Sequence, residues 1–198
     1  LSEPQYKIVG IVLAAGKSRR MGRDKLQLRS RGGQSILDTI IDVAASSTLD
    51  EVTVLLDEQR KNTAHHEQFK VSYGAIRSDN MAQSVNAAID YATAASASHA
   101  MIILGDMPAV VASDINALIE QSLKTPKAIV RPTYKSEAGN PVILPLRYAG
   151  EFKAKLSGDA GARTIFETGQ FDIIDVECGA GVLIDIDTPE LYQAYLRD

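Results

Sequence analysis

Hydrophobic positions alternate along the chain between short unbroken runs and segments of helical spacing. Apolar runs at 8–14, 52–56, 71–73, 101–104, 128–131, 142–144, 173–176 and 182–186 predict strands. Between them, Ile36, Leu37, Ile40, Ile41 and Ala44 recur at helical spacing, as do Val85, Ala88, Ile89 and Ala92, and again Ile115, Leu118, Ile119 and Leu123. Strand, helix and strand repeated in this way predict an α/β fold, with right-handed crossovers and a mostly parallel sheet covered on both faces. Unbroken runs such as 101–104 suit the middle of that sheet, where both faces are buried. In open parallel sheets ligands sit beyond the carboxyl ends of the strands, so the residues that follow the apolar runs are where chemistry is expected.

The most informative of these follows the first run. Leu13, Ala14, Ala15 and Gly16 lead into Lys17, Ser18, Arg19 and Arg20, with Lys25 shortly after. Small residues at a strand end leave backbone N–H groups open to an anion, and the cations add charge, which together describe a triphosphate cradle. A Walker loop is ruled out because its first glycine would fall at position 11, which is Ile. The dinucleotide fingerprint fails on spacing, since Gly16 and Gly22 do not fit Gly-x-Gly-x-x-Gly.

Asp106 follows the run at 101–104 directly after Gly105, so its carboxylate is expected in the same crevice. A carboxylate facing a triphosphate makes chemical sense with Mg²⁺ between them, since that ion is held by one or two carboxylates plus phosphate oxygens. Asp185 and Asp187 share one face of the strand expected at 182–186, if it runs that far. Asp-Thr-Pro-Glu (187–190) also reads as a helix cap on Asp187, which leaves Asp185 as the better second metal ligand. Asp79 or Asn80 caps the helix that begins near 80, and Ser84, a turn further in, faces the crevice. Gly-Asp-Ala-Gly-Ala-Arg (158–163) is a loop ending in a cation, either a cover over a second anionic substrate or a surface connection.

At 198 residues the chain is expected to form one domain, spanning 1–198. A net charge of −4 argues against general nucleic-acid binding. No apolar stretch reaches the ~18 residues of a membrane span and no signal peptide opens the chain, so a cytoplasmic setting is expected. The single cysteine, Cys178, excludes an internal disulfide and reads as a small structural residue. His65, His66 and His99 have neither the spacing nor the neighbours of a metal cluster and read as surface residues.

Assembled, these segments resemble the molybdenum-cofactor nucleotidyltransferases, specifically the molybdopterin cytidylyltransferase-like branch. The resemblance rests on residues 13–22 with Lys25, Leu-Gly-Asp-Met-Pro (104–108), Gly-Asn-Pro-Val (139–142), residues 158–163, and Asp-Ile-Asp-Thr-Pro-Glu (185–190). It implies a Rossmann-like three-layer α/β/α fold and a reaction dependent on Mg²⁺ or Mn²⁺ that releases pyrophosphate. It further implies catalytic roles for Arg20, Lys25 and Asp106, and an acceptor site at Asn140, Asp159 and Arg163. Ala15, where the guanosine-using enzymes carry a second glycine, points to CTP, with a phosphate-bearing pterin as acceptor and a molybdenum hydroxylase as recipient. Two positions depart from the family pattern: Ala82 stands where a serine is common, and Asn140 where a histidine is common. The alternatives are a GTP-using or other phosphate-acceptor transferase on the same scaffold, and a non-catalytic binding protein that serves the hydroxylase.

Overall fold

The computed structural model describes residues 6–16, 18, 21–58 and 70–197. The expectations for Lys17, Arg19, Arg20, His65 and His66 lie outside the described residues. Among the described residues, eight strands form one mixed sheet: β1 (Ile8–Ala14), β2 (Glu51–Asp57), β3 (Val71–Ile76), β4 (His99–Leu104), β5 (Ile129–Tyr134), β6 (Glu137–Ala138), β7 (Val142–Pro145) and β8 (Ile173–Glu177). The order is β3-β2-β1-β4-β7-β5-β6, with β8 on the other edge of β5. Strands β1 to β4 pair in parallel, as do β5 and β8, while β7 runs antiparallel to both β4 and β5.

Every residue of β1 is buried, because helices cover both faces. Val12 and Ala14 pack with Leu37 and Ile40 of α1 (Ile36–Ser46) and with Ile115 and Leu118 of α3 (Ala112–Lys124). Val9, Ile11 and Leu13 face the other way, toward Val85 and Ile89 of α2 (Met81–Ala94), Phe152 of α4 (Ala149–Lys155) and Ile165 of α5 (Arg163–Phe166). The expected α/β three-layer arrangement is therefore present. Among the described residues, no helix is long and apolar enough to cross a membrane.

Two expectations fail for physical reasons. Residues 182–186 are not a strand: Ala180–Leu183 form a 3₁₀ turn, and the chain continues irregularly into α6 (Pro189–Arg197). Val182 and Ile186 are fully buried all the same, so the apolar run reflects burial of an irregular segment rather than pairing in the sheet. His99, expected at the surface, is buried at the start of β4. Its ring lies 4.6 Å from that of Tyr6, with Ser98 Oγ at 2.9 Å and the Pro126 carbonyl at 3.1 Å. Burial pushes its pKa down against the Pro126 hydrogen bond, so the ring is neutral at neutral pH.

Close backbone contacts place the segments that carry the site. The Gly105 amide donates to Leu13 O at 3.0 Å, and a Cβ at Gly105 would stand 2.8 Å from that oxygen. A side chain there would push the ends of β1 and β4 apart. The buried Asp114 carboxylate accepts from the amides of Val111 (3.3 Å) and Gly179 (3.1 Å), which fixes the 3₁₀ turn. From that turn the chain returns to the sheet, where Ile186 N donates to Asp106 O at 3.0 Å.

Candidate active site

The ends of β1 and β4 open into a cavity of about 550 Å³. Leu13, Ala15, Gly16, Ser18, Lys25, Ser84, Asp106, Asp185 and Asp187 all line it. Ala14 does not, because its side chain is buried with the α1 and α3 core on the opposite face. Among the described residues other than its chain neighbours, no atom lies within 4 Å of a Cβ placed on Gly16, which lines the cavity.

Lys25 is held by its own turn. Asp24 Oδ1 accepts from Leu26 N at 3.1 Å, Leu26 is buried, and Lys25 N donates to Ser18 Oγ at 3.3 Å. The ammonium donates to Asp106 Oδ2 and, at 2.6 Å, to Asp187 Oδ1. Burial alone would lower the Lys25 pKa, but the charges and hydrogen bonds of Asp106 and Asp187 outweigh it and the net shift is upward. Asp185 stands close by. Burial, then the neighbouring charges of Asp187 and Asp106, raise its pKa against the smaller pull of a backbone hydrogen bond and Lys25.

Asp187 is not the cap of α6. Thr188 has that role: its Oγ1 accepts from Leu191 N at 3.3 Å and its carbonyl from Tyr192 N at 3.0 Å. Nor do Asp185 and Asp187 share a strand face, because no strand forms there. At the opposite wall Asn80 caps α2, with Oδ1 accepting from Gln83 N at 3.0 Å. Ser84 is buried and hydrogen-bonded to Ser78 Oγ at 2.8 Å.

A second cavity of about 780 Å³ adjoins the first along Met81, Leu104 and Asp159, which line both. Asn140 and Arg163 line it, and with Asp159 the expected acceptor residues come together there. So does Arg131, which sequence reasoning missed; its only signal was a cation closing the apolar run at 128–131. The turn bearing Asp159 rests on Met81: a Cβ at Gly161 would come within 2.4 Å of Met81 Cγ. Cys178 lies elsewhere; burial, then Asp114 and Glu177, push its thiol up to about 11, which leaves it protonated and unreactive.

Residues 10–173 match the MobA-like NTP transferase domain. The chain belongs to this family. This MobA-like transferase is 30% identical over 206 residues to the purine catabolism protein PucB of Bacillus subtilis, covering 96% of each chain. It is 29% identical over 149 residues to a probable molybdenum cofactor guanylyltransferase of Thermococcus gammatolerans, covering 75% of this chain and 73% of that one. Among solved structures, Rv0371c of Mycobacterium tuberculosis H37Rv superposes with a TM-score of 0.82 at 24% identity, over 98% of this chain and 99% of that one. A manganese complex of Rv0371c superposes at 0.79 and 23% identity, covering 97% and 99%.

The donor set of the MobA-like transferase suits a hard divalent cation, since oxygen atoms of Asp106 and Asp187 already converge on one positive charge. Among the described residues, no group of three or more His, Cys, Asp or Glu side chains forms a metal cage.

Proposed function

We propose that the chain works as one nucleotidyltransferase domain that moves CMP from CTP onto the terminal phosphate of molybdopterin. An acceptor phosphate oxygen attacks the α-phosphorus, and the bond from that phosphorus to the oxygen bridging to the β-phosphate breaks. Pyrophosphate leaves with that oxygen and its electron pair. The reading is carried by one observation: Lys25, from the loop after β1, meets Asp106, from the end of β4, on the wall of a cavity that adjoins a second one.

In this reading the backbone at Gly16 and the cations Lys17, Arg19, Arg20 and Lys25 bind and neutralise the triphosphate. Asp106, with Asp185 or Asp187, would hold Mg²⁺ or Mn²⁺, which supplies further neutralisation of phosphate charge. Ser84 lies on the side of the cavity that receives the nucleoside. Asn140, Asp159 and Arg163 orient the acceptor so that its phosphate reaches the shared wall. Little proton transfer is required, because a phosphate nucleophile is already ionised; placement and preorganised charge carry the rate. A molybdenum hydroxylase as recipient is supported by the purine-catabolism name of the Bacillus subtilis relative.

CTP is favoured because Ala15 is among the residues lining the cavity and carries a methyl group where a glycine would leave more room for a purine. The relatives named as guanylyltransferases support GTP as the second reading. Pyrophosphate release with molybdopterin, Mg²⁺ and each of the four nucleoside triphosphates tests both. CTP is expected to give the fastest release, and faster turnover with GTP replaces the base assignment. Nucleotide binding without pyrophosphate from any of the four refutes transfer and leaves an accessory binding role.

A further inference from the structure

The second cavity holds a cation that the nucleotide reading does not use. Arg131 lies on β5 two residues after Ile129, whose side chain is buried in the core between the sheet and helices α2, α4 and α5. The next residue on that strand face is therefore a guanidinium, at the edge of the cavity rather than in the core. Its position is fixed from two sides. Nε donates to Asp175 Oδ1 at 2.6 Å and one terminal nitrogen to Oδ2 at 3.4 Å, and Asp175 is its register partner on β8. The guanidinium carbon also lies 5.9 Å from the centre of the Phe166 ring. This fork occupies one edge of the guanidinium and leaves N–H donors on the other.

The pair is half-open to solvent, Arg131 being 25% and Asp175 49% exposed, so besides joining β5 to β8 it orders a guanidinium at the cavity edge. Its effect is to preorganise Arg131, so that less side-chain entropy is lost when an anion binds. Arg163, on the same cavity, is more exposed and is paired at 2.9 Å with Glu167, the residue just past the end of α5.

We propose that Arg131 anchors a second anionic group of the acceptor, at the end away from the reacting phosphate. The position follows from the lining: Met81, Leu104 and Asp159 border both cavities, whereas Arg131 borders only the second. Glu137 and Asp159 line the same cavity and are hydrogen-bond acceptors, so the acceptor that fits carries N–H groups as well as an anion. The inference rests on the acceptor reading given above, and the experiment separates the two.

Steady-state kinetics of the whole chain with CTP and molybdopterin are compared for the wild type, Arg131→Gln and Arg131→Lys. Arg131→Gln is expected to raise the acceptor KM tenfold or more without raising that for CTP, and Arg131→Lys to recover part of the loss. An unchanged acceptor KM, or an equal rise in both, overturns the anchor. If the wild type shows no turnover, the acceptor reading fails, and the anchor is then judged by binding. The first cavity is filled with a CTP analogue carrying a methylene between its α- and β-phosphorus atoms, and inorganic phosphate is titrated by ³¹P relaxation. At least tenfold weaker binding by Arg131→Gln sustains the anchor, and equal binding overturns it.

Discussion

Replacing Lys25 by Met keeps the length of the side chain and removes its charge, leaving the carboxylates of Asp106 and Asp187 without the ammonium between them. The three side chains are 12%, 16% and 20% exposed, so they are neither in bulk water nor sealed from it. Two unit charges ~4 Å apart at an effective dielectric constant of ~20 interact by about 4 kcal/mol. Breaking a buried pair by removing one partner costs about 3–5 kcal/mol, and water entering from the cavity reduces that to an expected ~2 kcal/mol. For a chain of this size that lowers the melting temperature by about 4–8 °C. The raised Lys25 pKa sets the pH window. The stabilisation is full below the ordinary lysine value and is lost as pH rises through the higher value in the folded protein. The variant should therefore be less stable throughout the neutral range. Without nucleotide, Mg²⁺ should raise its melting temperature more than that of the wild type, because the charge between the carboxylates is now missing. Turnover, read as pyrophosphate release, should fall by about 10²–10³-fold. Equal melting temperatures, an equal response to Mg²⁺ and undiminished turnover would together refute the reasoning.

Asp106→Ala is expected to abolish metal-dependent pyrophosphate release while circular dichroism stays native; retained activity would remove the metal role. Ala15→Gly should raise turnover with GTP relative to CTP, and an unaltered ratio would show that the methyl group does not select the base. Asp185 has a raised pKa, so its ionisation disfavours the folded state once pH passes its ordinary value. Asp185→Asn should then raise the metal-free melting temperature at pH 7 and change it little near pH 3; a uniform shift at both would contradict the cause.

The parallel half of the sheet was legible because a strand buried on both faces must be apolar throughout. The run at 8–14 coincides with β1 for that reason. The same rule misread 182–186, where Val182 and Ile186 are buried without pairing. Strand β6 escaped notice because it is two exposed residues, Glu137 and Ala138, paired only at the hairpin. The cap of α6 could have been found from sequence. Pro189 opens the helix, and proline at the first helical position makes the preceding residue, Thr188, the cap. Asp187 meets Lys25 instead, a contact across 162 positions that no local pattern encodes. The burial of His99 depends likewise on Tyr6 and Pro126, which reach it only after the chain has folded.

The seating of Gly161 on Met81 bears on the order in which substrates arrive. Met81 is a partition with a chamber on either side and the Asp159 turn resting against it. On the proposed reading, a nucleobase pressing on Met81 is expected to move the Asp159 turn as well, so that filling one chamber alters affinity in the other. Initial-rate kinetics with both substrates varied should then show nucleotide entering first, and random entry would contradict it.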